Sequence, residues 1–170
     1  RPGQALQVDA GEVESLSALS AWTKTLTVKL YAVMQPFFRD ISPTPLTLTG
    51  RDAAETFTPP GLAGAVVDFE ITNLQTADLT EALIETFCEG ERLSFFSFTG
   101  LLLPAGSALS AAHEETTGLL SLQASGVSCM NSRSRLSSDD LKLLPLRENT
   151  LHIYANRRVQ ADVRLTGLYP

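Results

Sequence analysis

Few residues in this chain could do chemistry. The histidines are His113 and His152, and the cysteines are Cys88 and Cys129. His113 stands in His113-Glu114-Glu115, a polar stretch that reads as a solvated loop. His152 falls between Leu151 and Ile153, on the polar side of an alternating run, where surface or edge packing is the default. Catalytic triads are assembled in space, so spacing alone does not decide for or against one, but no Gly-x-Ser-x-Gly elbow supports it. No His-Glu-x-x-His helix, P-loop or dinucleotide fingerprint occurs.

Paired carboxylates are the next resource. Asp68 with Glu70, or Glu114 with Glu115, has the residue types that glycoside hydrolysis uses. Asp139-Asp140 could contribute to calcium binding, but calcium takes about six or more oxygens and no Asp-x-Asp-x-Asp run supplies them. Each pair reads more simply as a solvated face. Cys88 and Cys129 are too few for a disulfide framework, and neither sits in a Cys-x-x-Cys pair that would suggest zinc. They form one disulfide if their strands are neighbours, or remain two buried thiols, cysteine being among the most buried residue types.

Basic residues group closely at two places, Arg133 with Arg135 and Arg157 with Arg158. Both groups read as solvated loop tips and candidate contact positions. The chain carries 13 Lys+Arg against 19 Asp+Glu, a net charge of -6, so nucleic acid is not an expected partner. Aromatic residues are 7% of the chain, mostly Phe in apolar runs, which argues against a flat sugar-binding platform. Trp22, Tyr31 and Tyr154 are the candidates for an exposed ring, though each reads first as a core or core-edge residue. No cofactor is implied. No run approaches the roughly 20 apolar residues of a membrane-spanning helix. The chain begins at Arg1, which reads as a processed or mature form.

These residues must be positioned by elements of mostly period two. With 170 residues and 44% apolar content, the expectation is one domain over residues 1–170 with a full core, residues 1–10 forming an extended N-terminal arm. Val13, Leu16, Leu19 and Trp22 recur at helical spacing over Glu12 to Trp22. From Thr23 the period becomes two, and Pro36 stops the strand. Short strands follow at Leu46–Leu48 and Ala65–Ile71, with Val67, Phe69 and Ile71 facing in and Asp68 and Glu70 facing out.

Over Thr76 to Gly90, Leu79, Leu83 and Phe87 are spaced by four between capping residues, which predicts a short helix. The competing strand reading alternates Leu83, Glu85 and Phe87. Leu93 to Leu103 reads as a central strand buried on both faces and kinked at Gly100. Further strands are expected at Ser107–Ser110 and Leu119–Ala124. Ser128 to Asp140 reads as a mobile, Ser- and Arg-rich insertion. From Thr150 to Tyr169, two alternating runs flank Arg157-Arg158, the pattern of a β-hairpin whose buried face should lie beside Leu93–Leu103 or Thr25–Val33.

About eight strands without a βαβ rhythm predict an all-β, antiparallel β-sandwich of Greek-key or jelly-roll type, with one or two short helices. Sparse chemistry on such a frame favours a structural or assembly protein over an enzyme. The expected role is a virion component, a capsid, cement or tail-associated subunit, acting through contacts with other protein subunits in a homo-oligomer or larger assembly. The alternative is a secreted or cell-surface sandwich that binds a glycan, peptide or receptor through the loops Arg51–Gly64 and Ser128–Asp140.

Overall fold

The computed structural model describes residues 6–10, 30–34, 38–114 and 118–170. The chain divides into two compact units, Arg1–Pro36 and Phe37–Pro170. In the first, β1 (Leu6–Ala10) pairs antiparallel with β2 (Leu30–Met34), Leu6 opposite Met34 and Ala10 opposite Leu30. The expected N-terminal arm is therefore in part a paired strand. The expected helix over Glu12–Trp22 and the strand residues before Leu30 lie outside the described residues.

The second unit is one antiparallel sheet of nine strands, and the all-β expectation holds. Its strands are β3 (Phe38–Arg39), β4 (Thr44–Phe57), β5 (Gly64–Asn73), β6 (Leu79–Cys88), β7 (Glu91–Leu103), β8 (Ala108–His113), β9 (Leu120–Ala124), β10 (Val127–Ser128) and β11 (Asn149–Tyr169). The one helical turn among the described residues is a 3-10 turn at Met130–Ser132. Two expectations are corrected here. Thr76–Gly90 is not a helix: Leu79–Cys88 is strand β6, and β-branched Thr80, Ile84 and Thr86 suit a pleated surface. The C-terminal hairpin is a single strand of 21 residues.

That strand is the spine of the sheet. β4 runs along one side of it, from Leu165↔Thr44 to Asn149↔Phe57. On the other side β6 pairs with residues 149–155 and β5 with residues 159–168. Within this sheet β11 thus pairs with β4, β5 and β6 and not with the expected Leu93–Leu103 strand. Between Tyr154↔Asp52 and Val159↔Gly50, four residues of β11 face only Arg51 of β4. This bulge is what Asn156-Arg157-Arg158 forms in place of a turn, and bulges bend and twist a sheet. Asn156 fixes it: its Oδ1 accepts from the backbone N–H of Thr80 at 3.1 Å, and its Nδ2 donates to Thr80 Oγ1 at 2.6 Å.

The bulge divides the sheet into two lobes. The first is β7-β6 with the 149–155 half of β11, and the second is β10-β9-β8-β5 with the 159–168 half. The lobes curl so that their inner faces share one core, where Phe69 of β5 meets Phe96 of β7 with ring centroids 6.3 Å apart. Along β11 the inner positions are Leu151, Ile153, Ala155, Val159, Ala161, Val163 and Leu165, all buried, as the alternation predicts. Burying side chains of this size stabilises by about 1.5–3 kcal/mol each before entropy is counted.

β7 buries only one face: Ser94, Phe96, Phe98, Leu101 and Leu103 point inward, while Leu102 is 76% exposed. It lies at the margin of its lobe and not at the centre of the sheet. The expected kink is present, and inward positions change from even to odd residues across Thr99-Gly100, where Gly100 has a φ of 69°.

Candidate functional site

The Arg-containing loops are built differently from the solvated tips the sequence suggests. Residues 133–138 run beside the outer edge of β7 and satisfy its backbone. The N–H of Ser134 donates to Ser97 O at 2.8 Å, and that of Ser138 to Phe95 O at 2.9 Å. In return the N–H of Phe95 donates to Ser138 Oγ and that of Ser97 to Ser137 Oγ, both at 3.0 Å. A margin that would otherwise expose a row of unpaired groups is closed by serine hydroxyls. The segment read as a mobile insertion is therefore pinned to the sheet.

Arg133 turns inward within this loop. Its guanidinium donates to Ser138 O and lies 4.9 Å over the Phe96 ring. Arg135 remains exposed. In the bulge of β11, Arg157 is half-buried and donates to Asn156 O at 3.0 Å, while Arg158 is exposed. Of the four candidate contact residues, Arg135 and Arg158 are exposed, and Arg133 and Arg157 are half-buried. Cys88 and Cys129 are both buried and free. Burial raises the pKa of the Cys129 thiol, which disfavours the reactive thiolate.

The titratable centres are the two histidines, and neither is a lone solvated ring. His113 ends β8 with its side chain only 6% exposed. Its Nδ1 lies 2.8 Å from Asp68 Oδ1 on β5, and its Nε2 lies 3.1 Å from Asp140 Oδ2. The backbone N–H of His113 also donates to Asp68 Oδ1 at 2.9 Å. Burial works against a charged ring, but the bonds to Asp140 and Asp68 outweigh it and push the pKa up to about 9. Burial tends to raise the Asp68 pKa; the bonds from His113 and the nearby Arg164 prevail and lower it.

His152 on β11 is held in the same way in the other lobe. Its Nε2 lies 2.7 Å from Asp52 Oδ1 on β4, and its Nδ1 lies 3.2 Å from Glu85 Oε2 on β6. Glu85 also accepts from Arg92 at 2.9 Å. The ring is 27% exposed, and its pKa is raised, the two carboxylates prevailing over partial burial.

Chemically these centres are ties. A general base needs a ring nitrogen free to face a substrate proton, and here both nitrogens of each ring already face carboxylates. Asp68 and Asp140, each from one of the sequence's carboxylate pairs, both meet His113 in space. Among the described residues, no group of three or more His, Cys, Asp or Glu is arranged to hold a metal ion. No helix among them is long and apolar enough to cross a membrane. Sequence reasoning missed both clamps because the partners are 27 to 100 positions apart. The one available signal was that Asp68 and His152 fall on outward positions of strands.

No family model and no curated protein matches this chain. Among solved structures, it is similar in fold to the crystal structure of SPP1 Dit (gp 19.1), described as a paradigm of hub adsorption apparatus in Gram-positive infecting phages. The TM-score is 0.53 at 11% sequence identity. The likeness takes in 100% of this chain and 62% of that one, so the chain spans under two thirds of the length of the protein it resembles. What the two share is a fold.

Proposed function

We propose that this chain is a structural subunit of a phage virion, associated with the tail, that acts through contacts with other protein subunits. The observation that carries this reading is the fold likeness to SPP1 Dit over the whole of the chain. The chemistry of the chain agrees with it. Its histidines are saturated with carboxylates and its cysteines are buried. The tail reading is preferred to capsid or cement because of the hub protein it resembles. The glycan- or receptor-binding alternative loses support, since residues 51–57 belong to β4 and residues 133–138 close the edge of β7.

Mass spectrometry of purified, nuclease-treated particles produced by the genome that encodes the chain tests this. The chain is expected in stoichiometric amounts in tailed particles, and particles made without it should lack complete tails. Its absence from purified particles would overturn the reading.

A further inference from the structure

Among the described residues, β4 is hydrogen-bonded on one side only, to β11. Its other edge extends over 14 residues, most of them exposed. A free edge offers a row of N–H and C=O groups to any incoming strand. The far margins of both lobes are closed or short: loop 133–138 covers β7, and β10 has two residues. Among the described residues, none covers the C-terminal half of β4 in this way. Pro45 lies near its start, and Arg51, Asp52 and Glu55 lie beyond Gly50.

We propose that Gly50–Phe57 is a self-pairing edge, by which two copies of this chain join β4 to β4 antiparallel about a two-fold axis at Ala53. The charges select that register. In a continuous sheet, facing residues share a face, so a two-fold normal to the sheet must pass through one residue paired with itself. Centring on Asp52 sets that acid against its own copy, and centring on Arg51 does the same with the base. Like charges directly opposite are destabilising.

Centring on Ala53 places Arg51 opposite Glu55 twice, puts a small side chain at the axis, and leaves Asp52 opposite Ala54. Gly50 and Ala54 as centres give no opposite-charge pair. Arg51 and Glu55 are both exposed and their side chains have no ion pair or hydrogen bond within the described residues, whereas Asp52 is already held by His152 at 2.7 Å. The interface is isologous, each copy giving the same strand.

Sedimentation velocity of the full chain, from low to high micromolar, is the test. The wild-type chain is expected to dimerise. Arg51→Glu and Glu55→Arg should each weaken the dimer by about tenfold in Kd, and the double variant should recover to within about threefold, because it rebuilds both pairs with the charges exchanged. Oxidised Ala53→Cys should form a covalent dimer, since facing Cβ atoms about 4.5–5.5 Å apart need to close by only about 1 Å to reach disulfide spacing, and Thr47→Cys should not. Far-UV circular dichroism verifies that each variant is folded.

A wild-type chain that stays monomeric, single variants that associate like wild type, or a double variant that fails to recover overturns the register. The edge rests on the assembly reading, but the two fail separately: a monomeric chain found in particles would sink the edge and leave the virion role standing.

Discussion

The two lobes carry the same device in different surroundings. His113 lies between Asp68 and Asp140 with 6% of its side chain exposed, and His152 lies between Asp52 and Glu85 with 27% exposed. Each ring crosses strands: His113 on β8 reaches β5 and the segment before Leu141, and His152 on β11 reaches β4 and β6. The difference teaches where such a tie matters. Exposed ion pairs are screened and contribute about 0–1 kcal/mol, whereas removing one partner of a buried pair strands the other charge and costs about 3–5 kcal/mol. The second lobe should therefore depend on its histidine more than the first.

The largest way to break this comparison is to remove what both lobes share. Val163 is 1% exposed on the inner face of β11. Val163→Asp places an unpaired carboxylate there, a cost of several kcal/mol against a typical total of about 5–15 kcal/mol. It is expected to unfold the sheet of both lobes, read as loss of a cooperative thermal transition. A normal melt would sink the inner-face assignment. Next, His113→Gln should lower stability by about 2–3 kcal/mol in urea denaturation, less than for a fully buried pair because Asp140 is 46% exposed, and His152→Gln by less than about 1 kcal/mol. Equal losses would show that burial is not what separates the clamps.

The pH dependence sharpens the same contrast. The folded pKa of His113, about 9, stands above its ordinary value near 6.5. Its stabilisation is fully present below about pH 6.5 and is lost as pH rises through 9, a change of at most about 3 kcal/mol. The urea midpoint should fall from pH 6.5 to 9.5 in the wild-type chain and much less in His113→Gln. His152 contributes with the same sign, since its pKa is also raised. A flat profile in the wild type would contradict the charged clamp. The smallest effect is expected at the bulge: Arg157→Ala should leave the fold intact, with a melt shifted by no more than about 1 kcal/mol, because the Asn156 side-chain bonds remain.

The alternation of apolar residues was enough to place the core of β5 and β11. Val67, Phe69, Ile71, Leu151, Ile153, Val163 and Leu165 are buried as their spacing predicts. The bulge was harder to see, yet one signal existed. Tight hairpins need residues that accept positive φ, such as Asn-Gly or Asp-Gly, and Asn156-Arg157-Arg158 offers no glycine. β6 misled because Leu79, Leu83 and Phe87 fit a helical face. A register shift between Leu79 and Glu81 moves the inward positions onto Ala82, Ile84 and Thr86. The serine edge of β7 and both histidine clamps were beyond reach, because they join residues that only the folded sheet brings together. Arg133 illustrates this: its charge suggested a solvent-facing tip, but its ring partner, Phe96, is 37 positions away.

The position of β11 in the chain also sets the order of assembly. β4, β5 and β6 all precede it, and Thr44 waits for Leu165. Until the last strand of the sheet has emerged, the hairpins β6-β7 and β8-β9 can form locally and β5 can pair with β8, but no strand joins the two lobes into one sheet. Folding therefore closes through contacts distant in sequence, the slow class of folding reactions. A nascent chain that stalls before Asn149 would leave open the edges of β4, β5 and β6 that await β11 and depend on the ribosome or a chaperone to keep them from pairing with the wrong partner.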